Sequence, residues 1–257
     1  MFLGCDIGTG FSKAVLIDDG KIKATAIIAT EADPRRASNE ILRRVMDSMS
    51  IKQDDIKGCA TTGWGRTYVP VKHQEEGLMN CLAKGANHVL SSCRTVIDVG
   101  AQHSMAISID GNGQVMEFRQ NDRCAAGSGR FLEIISEALQ VPLEDVSSCI
   151  MDAVEKINVT AQCAVFAESE VIAHVNDGKP VGSILAGIID ALGRSLVTVA
   201  KRLSVHEDIV LSGGMAKNGA LVKVLEKNLE KPIHIATPDP QLLAAFGAAI
   251  LAKEADK

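Results

Sequence analysis

Two stretches of this chain follow one plan, and that repeat limits the folds open to it. An apolar strand over Phe2–Ile7 reaches Asp6-Ile7-Gly8, and a second strand follows over Ser12–Ile17. Asp18-Asp19-Gly20 then supplies hairpin-turn chemistry before a third strand over Lys21–Ala29. About 90 residues later the order returns. Thr95–Val99 ends in Asp98-Val99-Gly100, Ser104–Ile109 is the second strand, Asp110-Gly111-Asn112-Gly113 the turn and Gln114–Arg119 the third. Residue identity between the stretches is slight, so the repeat is one of structure. It predicts two related α/β halves facing each other.

The remaining pattern supplies helices. Ile41, Leu42, Val45 and Met49 recur at helical spacing and predict a helix over Ala37–Met49. Further helices are expected over Met79–Leu90, Ser128–Ala138, Ala164–Val175, Val181–Leu203, Ala220–Leu229 and Pro240–Lys253. Short strands are expected over Gly58–Thr62, Asp208–Leu211 and Ile233–Ala236. The boundary between halves falls near Ser91–Arg94, giving residues 1–93 and 94–257. The closing helix, about 240–253, is expected to pack back on the first half.

Composition removes several functions. A formal charge of −5, no basic arm and only 3% aromatics argue against a nucleic-acid partner. The start, MFLGCDIGTG, lacks the basic n-region of a signal peptide, and no run of about 18 apolar residues is present. A cytoplasmic chain with no membrane span is expected. Seven cysteines, an odd number without a Cys-x-x-Cys pair, argue against structural disulfides and a self-contained zinc site.

Asp6-Ile7-Gly8-Thr9-Gly10-Phe11-Ser12-Lys13 leaves a buried strand with two glycines in its turn. Such a turn lets several N–H groups face one phosphate. Asp6 can hold a Mg²⁺-bound water, and Lys13 can neutralise the β- and γ-phosphates. No Gly-Lys-Ser/Thr closes a Walker loop, and alone the segment is more often a plain turn. The second Asp-x-Gly, Asp98–Gly100, and a Gly213-Gly214 pair after the strand Ile209–Leu211 change that balance. Three glycine-bearing strand ends, ordered phosphate, phosphate, adenosine, resemble the actin/hexokinase/Hsp70 superfamily. The resemblance implies that two domains clamp ATP-Mg²⁺ between them. It assigns nucleotide binding to Gly8, Thr9, Gly10, Ser12, Lys13, Gly100, Ala101, Gly213, Gly214 and Lys217. Asp6, Asp98 and Gln102 become the catalytic candidates.

Cys124 lies just before one expected helix and Cys163 at the start of another. Helix N-termini carry partial positive charge and lower thiolate pKa. A single such cysteine is more often a buried apolar residue, but two at two helix starts point to a ligand role. Two thiolates do not complete a [4Fe–4S] cluster; a symmetric dimer supplies two from each chain. Cys149 has no glycine-rich approach and is expected in the core.

Asn121–Glu133 (NDRCAAGSGRFLE) and Cys163–Ile172 (CAVFAESEVI) resemble the activators of 2-hydroxyacyl-CoA dehydratases and the related ATP-binding subunits of benzoyl-CoA reductase. Thr62-Gly63-Trp64-Gly65-Arg66 and Ser212–Asn218 support the match. The resemblance implies a homodimer whose single [4Fe–4S] cluster is held by Cys124 and Cys163 of both subunits. It implies ferredoxin or flavodoxin as electron donor, and ATP hydrolysis that drives the electron on to the dehydratase. Two alternatives stay open. One is a subunit of a benzoyl-CoA-reductase-like complex, paired with a homologous chain. The other is a nucleotide-binding scaffold without hydrolysis. A small-molecule kinase of the same fold would leave both cysteines unexplained. The chain also departs from the family, whose second loop reads Asp-Ile-Gly-Gly-Gln-Asp. Here it is Asp98-Val99-Gly100-Ala101-Gln102-His103, with a Cβ where a positive φ is expected and an imidazole in place of a carboxylate. The other five histidines, scattered without ligand spacing, are expected to be surface or satisfied histidines.

Overall fold

The computed structural model describes residues 1–121, 128–151, 153, 155–159 and 164–256. Two five-stranded sheets carry the architecture. The first is built from β1 (Phe2–Ile7), β2 (Phe11–Asp18), β3 (Lys21–Ala29), β4 (Gly58–Thr62) and β5 (Gln74–Glu75), ordered β3-β2-β1-β4-β5. The second is built from β6 (Thr95–Val99), β7 (Ser104–Ile109), β8 (Val115–Gln120), β9 (Ile209–Ser212) and β10 (Ile233–Ile235), ordered β10-β9-β6-β7-β8. Read from the hairpin edge, the two orders are the same. In each, three antiparallel strands lead and two parallel ones follow. The sequence repeat is therefore a repeat of topology.

Helices cover the sheets on both faces, as parallel strand pairs require. α1 (Pro34–Asp47) shields the outer face of the first sheet with Ile41, Leu42 and Val45. It begins three residues before the apolar pattern. Asp33 caps it, accepting from the Arg35 N–H at 2.9 Å, and Pro34 fits the first turn. α2 (Leu78–Val89) and α8 (Leu243–Glu254) form a shared core with apolar residues of both sheets, including Val15, Ala60, Ile107 and Val210. Glycines let these helices approach closely: a Cβ at Gly4 would lie 2.0 Å from the Ala245 carbonyl, and one at Gly247 1.8 Å from that of Cys81.

α3 (Gly129–Ala138), α4 (Val146–Met151), α5 (Ala164–Asn176), α6 (Val181–Lys201) and α7 (Gly219–Leu229) cover the outer face of the second sheet. α6 is long and apolar enough to cross a membrane by length and composition. Its apolar residues, Ile184 to Ala200, are instead taken up by the core. The sequence pattern omitted α4 and β5, which are too short for periodicity to register.

Candidate active site

Both repeats end their first strand on a carboxylate, and the two carboxylates open on one cleft of about 840 Å³. Asp6 is 6% exposed and Asp98 7%. In the first sheet Lys13 is the cross-strand partner of Asp6, and its Nζ donates to Asp6 Oδ2 at 2.8 Å. In the second, Ser212 is the parallel partner of Asp98, and its Oγ donates to Asp98 Oδ1 at 2.6 Å. Thr62 occupies the matching register position beside Asp6. A glycine follows each of these hydroxyl residues, Gly63 and Gly213, both at φ +86°. A Cβ at Gly63 would lie 2.4 Å from Asp6 Oδ1, and one at Gly213 2.2 Å from the Val99 carbonyl. Only glycine serves there, in conformation and in space.

The first glycine loop is braced from behind. Gly8 N–H donates to Phe11 O at 3.1 Å, and Thr30 Oγ donates to Gly8 O at 2.7 Å. Thr30 N–H also donates to Gly10 O, at 3.0 Å. Ser12 is fully buried and shares a 2.9 Å hydrogen bond with the Thr30 hydroxyl, so it supports the loop without lining the cleft. Gly8, Thr9, Gly10 and Lys13 do line it.

The second loop closes through Gly100 N–H to His103 O at 2.9 Å, leaving Ala101 and Gln102 at its tip. Ala101 lines the cleft, and a Cβ on Gly10 would lie 2.7 Å from the Ala101 Cβ, so the two loops meet. The expected positive φ is absent: Ala101 is not among the left-handed residues, and its Cβ costs no strain. Gln102 is exposed at the tip and does not line the cleft. His103 lines it in its stead, with Nε2 3.6 Å from Asp98 Oδ2. That carboxylate raises the His103 pKa above the ordinary histidine value, against the opposing effect of burial.

Beyond Gly213 and Gly214, Lys217 holds Asp239 Oδ2 and Gln241 Oε1, each at 2.7 Å. Asn218 caps α7 by accepting from Leu221 N–H at 3.0 Å. Gly213, Gly214 and Lys217 all line the cleft. Trp64, 66% exposed, and Arg66, paired with Glu75 at 2.9 Å, form part of the wall beside the first loop. Thr30 and Ser212 have no place in the sequence reading of the site. Ser212 had a readable signal, the hydroxyl-glycine ending that β4 and β9 share in Thr62-Gly63 and Ser212-Gly213.

Cys124 and Cys163 lie outside the described residues. Among the described residues no group of three or more His, Cys, Asp or Glu could hold a metal ion. Cys5, Cys59, Cys81 and Cys93 are buried, and Cys149 sits half-buried in α4. Burial pushes the Cys81 thiol up to about 12 and Cys93 to about 11. α3 and α5 pack against each other. The first turn of α3 also joins the second loop directly: Gly129 N–H donates to Gly100 O and Arg130 N–H to Ala101 O, each at 2.9 Å.

Comparison with known proteins agrees with this architecture. The BadF/BadG/BcrA/BcrD ATPase family model matches residues 3–252. The chain is 33% identical over 255 residues to the (R)-2-hydroxyglutaryl-CoA dehydratase activating ATPase of Acidaminococcus fermentans, covering 97% of this chain and 96% of that one. It is 30% identical over 257 residues to a benzoyl-CoA reductase subunit of Thauera aromatica, covering 96% and 91%. Among solved structures it superposes on the activator of the 2-hydroxyisocaproyl-CoA dehydratase from Clostridium difficile, with bound ADPNP, at TM-score 0.92 and 31% identity, over 100% of this chain and 96% of that one. A ROK family glucokinase from Streptomyces griseus matches at TM-score 0.62 and 14% identity, over 98% and 99% of the two chains, a likeness of fold alone. The fold is of the actin/hexokinase type, and this chain belongs to the BadF/BadG/BcrA/BcrD ATPase family.

Proposed function

We propose that this protein is an ATP-hydrolysing iron–sulfur activator that passes a low-potential electron to a 2-hydroxyacyl-CoA dehydratase. One observation carries the coupling: the first turn of α3 is hydrogen-bonded to the second glycine loop, at Gly129–Gly100 and Arg130–Ala101. Cys124 lies five residues before Gly129 in the chain. A nucleotide that moves this loop therefore pulls on the helix next to that cysteine.

In this reading Asp6 holds Mg²⁺ through water. Lys13 and the backbone of Gly8–Gly10 and Gly100–Ala101 take the phosphates. Gly213, Gly214 and Lys217 flank the adenosine. Asp98, shielded from bulk water and held by Ser212, orients the attacking water. The two halves, 1–93 and 94–257, close on the nucleotide about the boundary near residues 91–94.

Cys124 and Cys163 of two subunits would hold one [4Fe–4S] cluster, since one chain offers too few thiolates. Of the other five cysteines, four are buried in the core and Cys149 is half-buried against it, which favours these two as the ligand pair. Both precede helices, α3 and α5, that pack together. When bound, the cluster supplies one-electron transfer, fed by ferredoxin or flavodoxin. We place the protein in the cytoplasm as a homodimer. Anaerobic reconstitution tests this: about four irons per dimer are expected, with the visible absorption lost in Cys124→Ser and in Cys163→Ser. A colourless dimer with the wild-type sequence overturns the cluster.

The 30% identity to a benzoyl-CoA reductase subunit supports a second reading, in which the chain shares its cluster with a homologous partner. Gel filtration of the chain expressed alone separates the two: a stable brown homodimer favours the first, and a colourless monomer the second. A scaffold without hydrolysis predicts no ATPase activity at all, and no loss on Asp98→Ala.

A further inference from the structure

His103 stands where the resemblance places a carboxylate, and the site offers it one specific neighbour. The Asp98 carboxylate is nearly buried and has two distinct oxygens. Oδ1 accepts the 2.6 Å hydrogen bond from Ser212, and Oδ2 faces His103 Nε2 at 3.6 Å. Nε2 is wholly shielded from solvent and has no hydrogen-bond partner among the described residues. The gap exceeds a direct hydrogen bond and is too short to hold a water between the two atoms, so the contact is one of charge. His103 is also held in place: its carbonyl accepts the Gly100 N–H that closes the loop.

We propose that His103 is a positioning residue for ATP hydrolysis, acting through the second oxygen of Asp98. The inference rests on the reading that Asp98 orients the attacking water. A neutral imidazole with its proton on Nδ1 leaves Oδ2 open to accept from that water. An imidazolium draws Oδ2 into an ion pair and withholds it. A carboxylate at this position could not switch in this way near neutral pH, so the imidazole makes the site sensitive to pH.

Three charged groups face the imidazole. Asp98 on β6 and Asp6 on β1 favour its protonated form, and Lys13 on β2 opposes it. Asp98 has the largest effect, so the transition lies above the usual histidine value of about 6.5. As pH rises through it, the neutral form grows and kcat rises.

The test is steady-state ATPase activity between pH 6 and 9, as separate kcat and KM profiles. Wild-type kcat is expected to climb by about 10-fold along a single-proton limb, with KM for ATP nearly flat. His103→Gln removes the limb, and His103→Asp restores a flat, active profile. A limb that persists in His103→Gln, while Asp98→Asn is inactive, overturns this inference and leaves the role of Asp98 standing. An Asp98→Asn variant with wild-type kcat overturns the role of Asp98 itself. A second readout needs no His103 variant: the His103 ring is followed by NMR titration in the wild type and in Asp98→Asn. Its pKa drops when the carboxylate is removed. An unchanged titration means that the two residues do not communicate, and the inference fails.

Discussion

Ser212 and Asp98 sit opposite each other on adjacent parallel strands, and the serine hydroxyl donates to the carboxylate at 2.6 Å. The bond fixes one oxygen of a carboxylate that water scarcely reaches. A hydrogen bond to a charged group is worth about 1.5–3 kcal/mol, and a buried charge left short of a partner loses most of that. Ser212→Ala should therefore lower kcat for ATP by about 10-fold or more, with a smaller effect on KM. Equal kcat in the two proteins would mean that Asp98 needs no such restraint.

Gly63 and Gly213 share a left-handed backbone at φ +86° and the same relation to their sheets. A side chain at either meets backbone or carboxylate at less than 3 Å. Left-handed strain in a non-glycine residue costs about 1–3 kcal/mol, and the overlaps add to it. Gly213→Ala is expected to lower the thermal midpoint and abolish nucleotide binding together, in calorimetry and in a fluorescent-nucleotide titration. Gly219 serves as the control, because a Cβ added there meets nothing within 4 Å; Gly219→Ala should leave both nearly unchanged.

The buried thiols set a response to alkali. Burial pushes the Cys81 thiol from 9.0 up to about 12 and that of Cys93 to about 11. Raised values favour the protonated, folded form. The stability they protect is intact below pH 9 and is lost as pH climbs towards 11–12, because the unfolded chain gives up those protons first. Urea midpoints should fall between pH 8 and pH 10. Labelling with iodoacetamide at pH 8 should spare Cys5, Cys59, Cys81 and Cys93 until urea unfolds the protein. Rapid labelling of Cys81 in the native state would refute its burial.

Much of the fold was legible because it rests on local chemistry. Asp18-Asp19-Gly20 and Asp110-Gly111-Asn112-Gly113 are turn sequences, and both close hairpins. The alternation of short apolar strands with amphipathic helices marked most element boundaries to within a few residues. β5 was not legible, since Gln74-Glu75 is two polar residues whose strand character comes only from pairing with β4. The site was legible as a set of strand ends, and less so as a set of side chains. Spacing does not say which residues of a turn point inward. Gln102 and His103 are neighbours, yet only His103 lines the cleft, because the Gly100–His103 bond leaves Gln102 at the tip. Ser12 reads as a phosphate contact from its place in the motif, but its side chain turns inward to Thr30. The bracing of α3 by Gly100 and Ala101 joins residues that are distant in the chain and has no sequence signature.

The proposed coupling between the cleft and an iron–sulfur cluster is tested most directly by the midpoint potential of the anaerobically reconstituted protein, measured with ADP and with a non-hydrolysable ATP analogue. The analogue is expected to shift the potential, and Asp6→Ala, which removes the proposed Mg²⁺ anchor, to abolish the shift. A potential that is the same with either nucleotide, in a protein that binds both, would contradict the coupling.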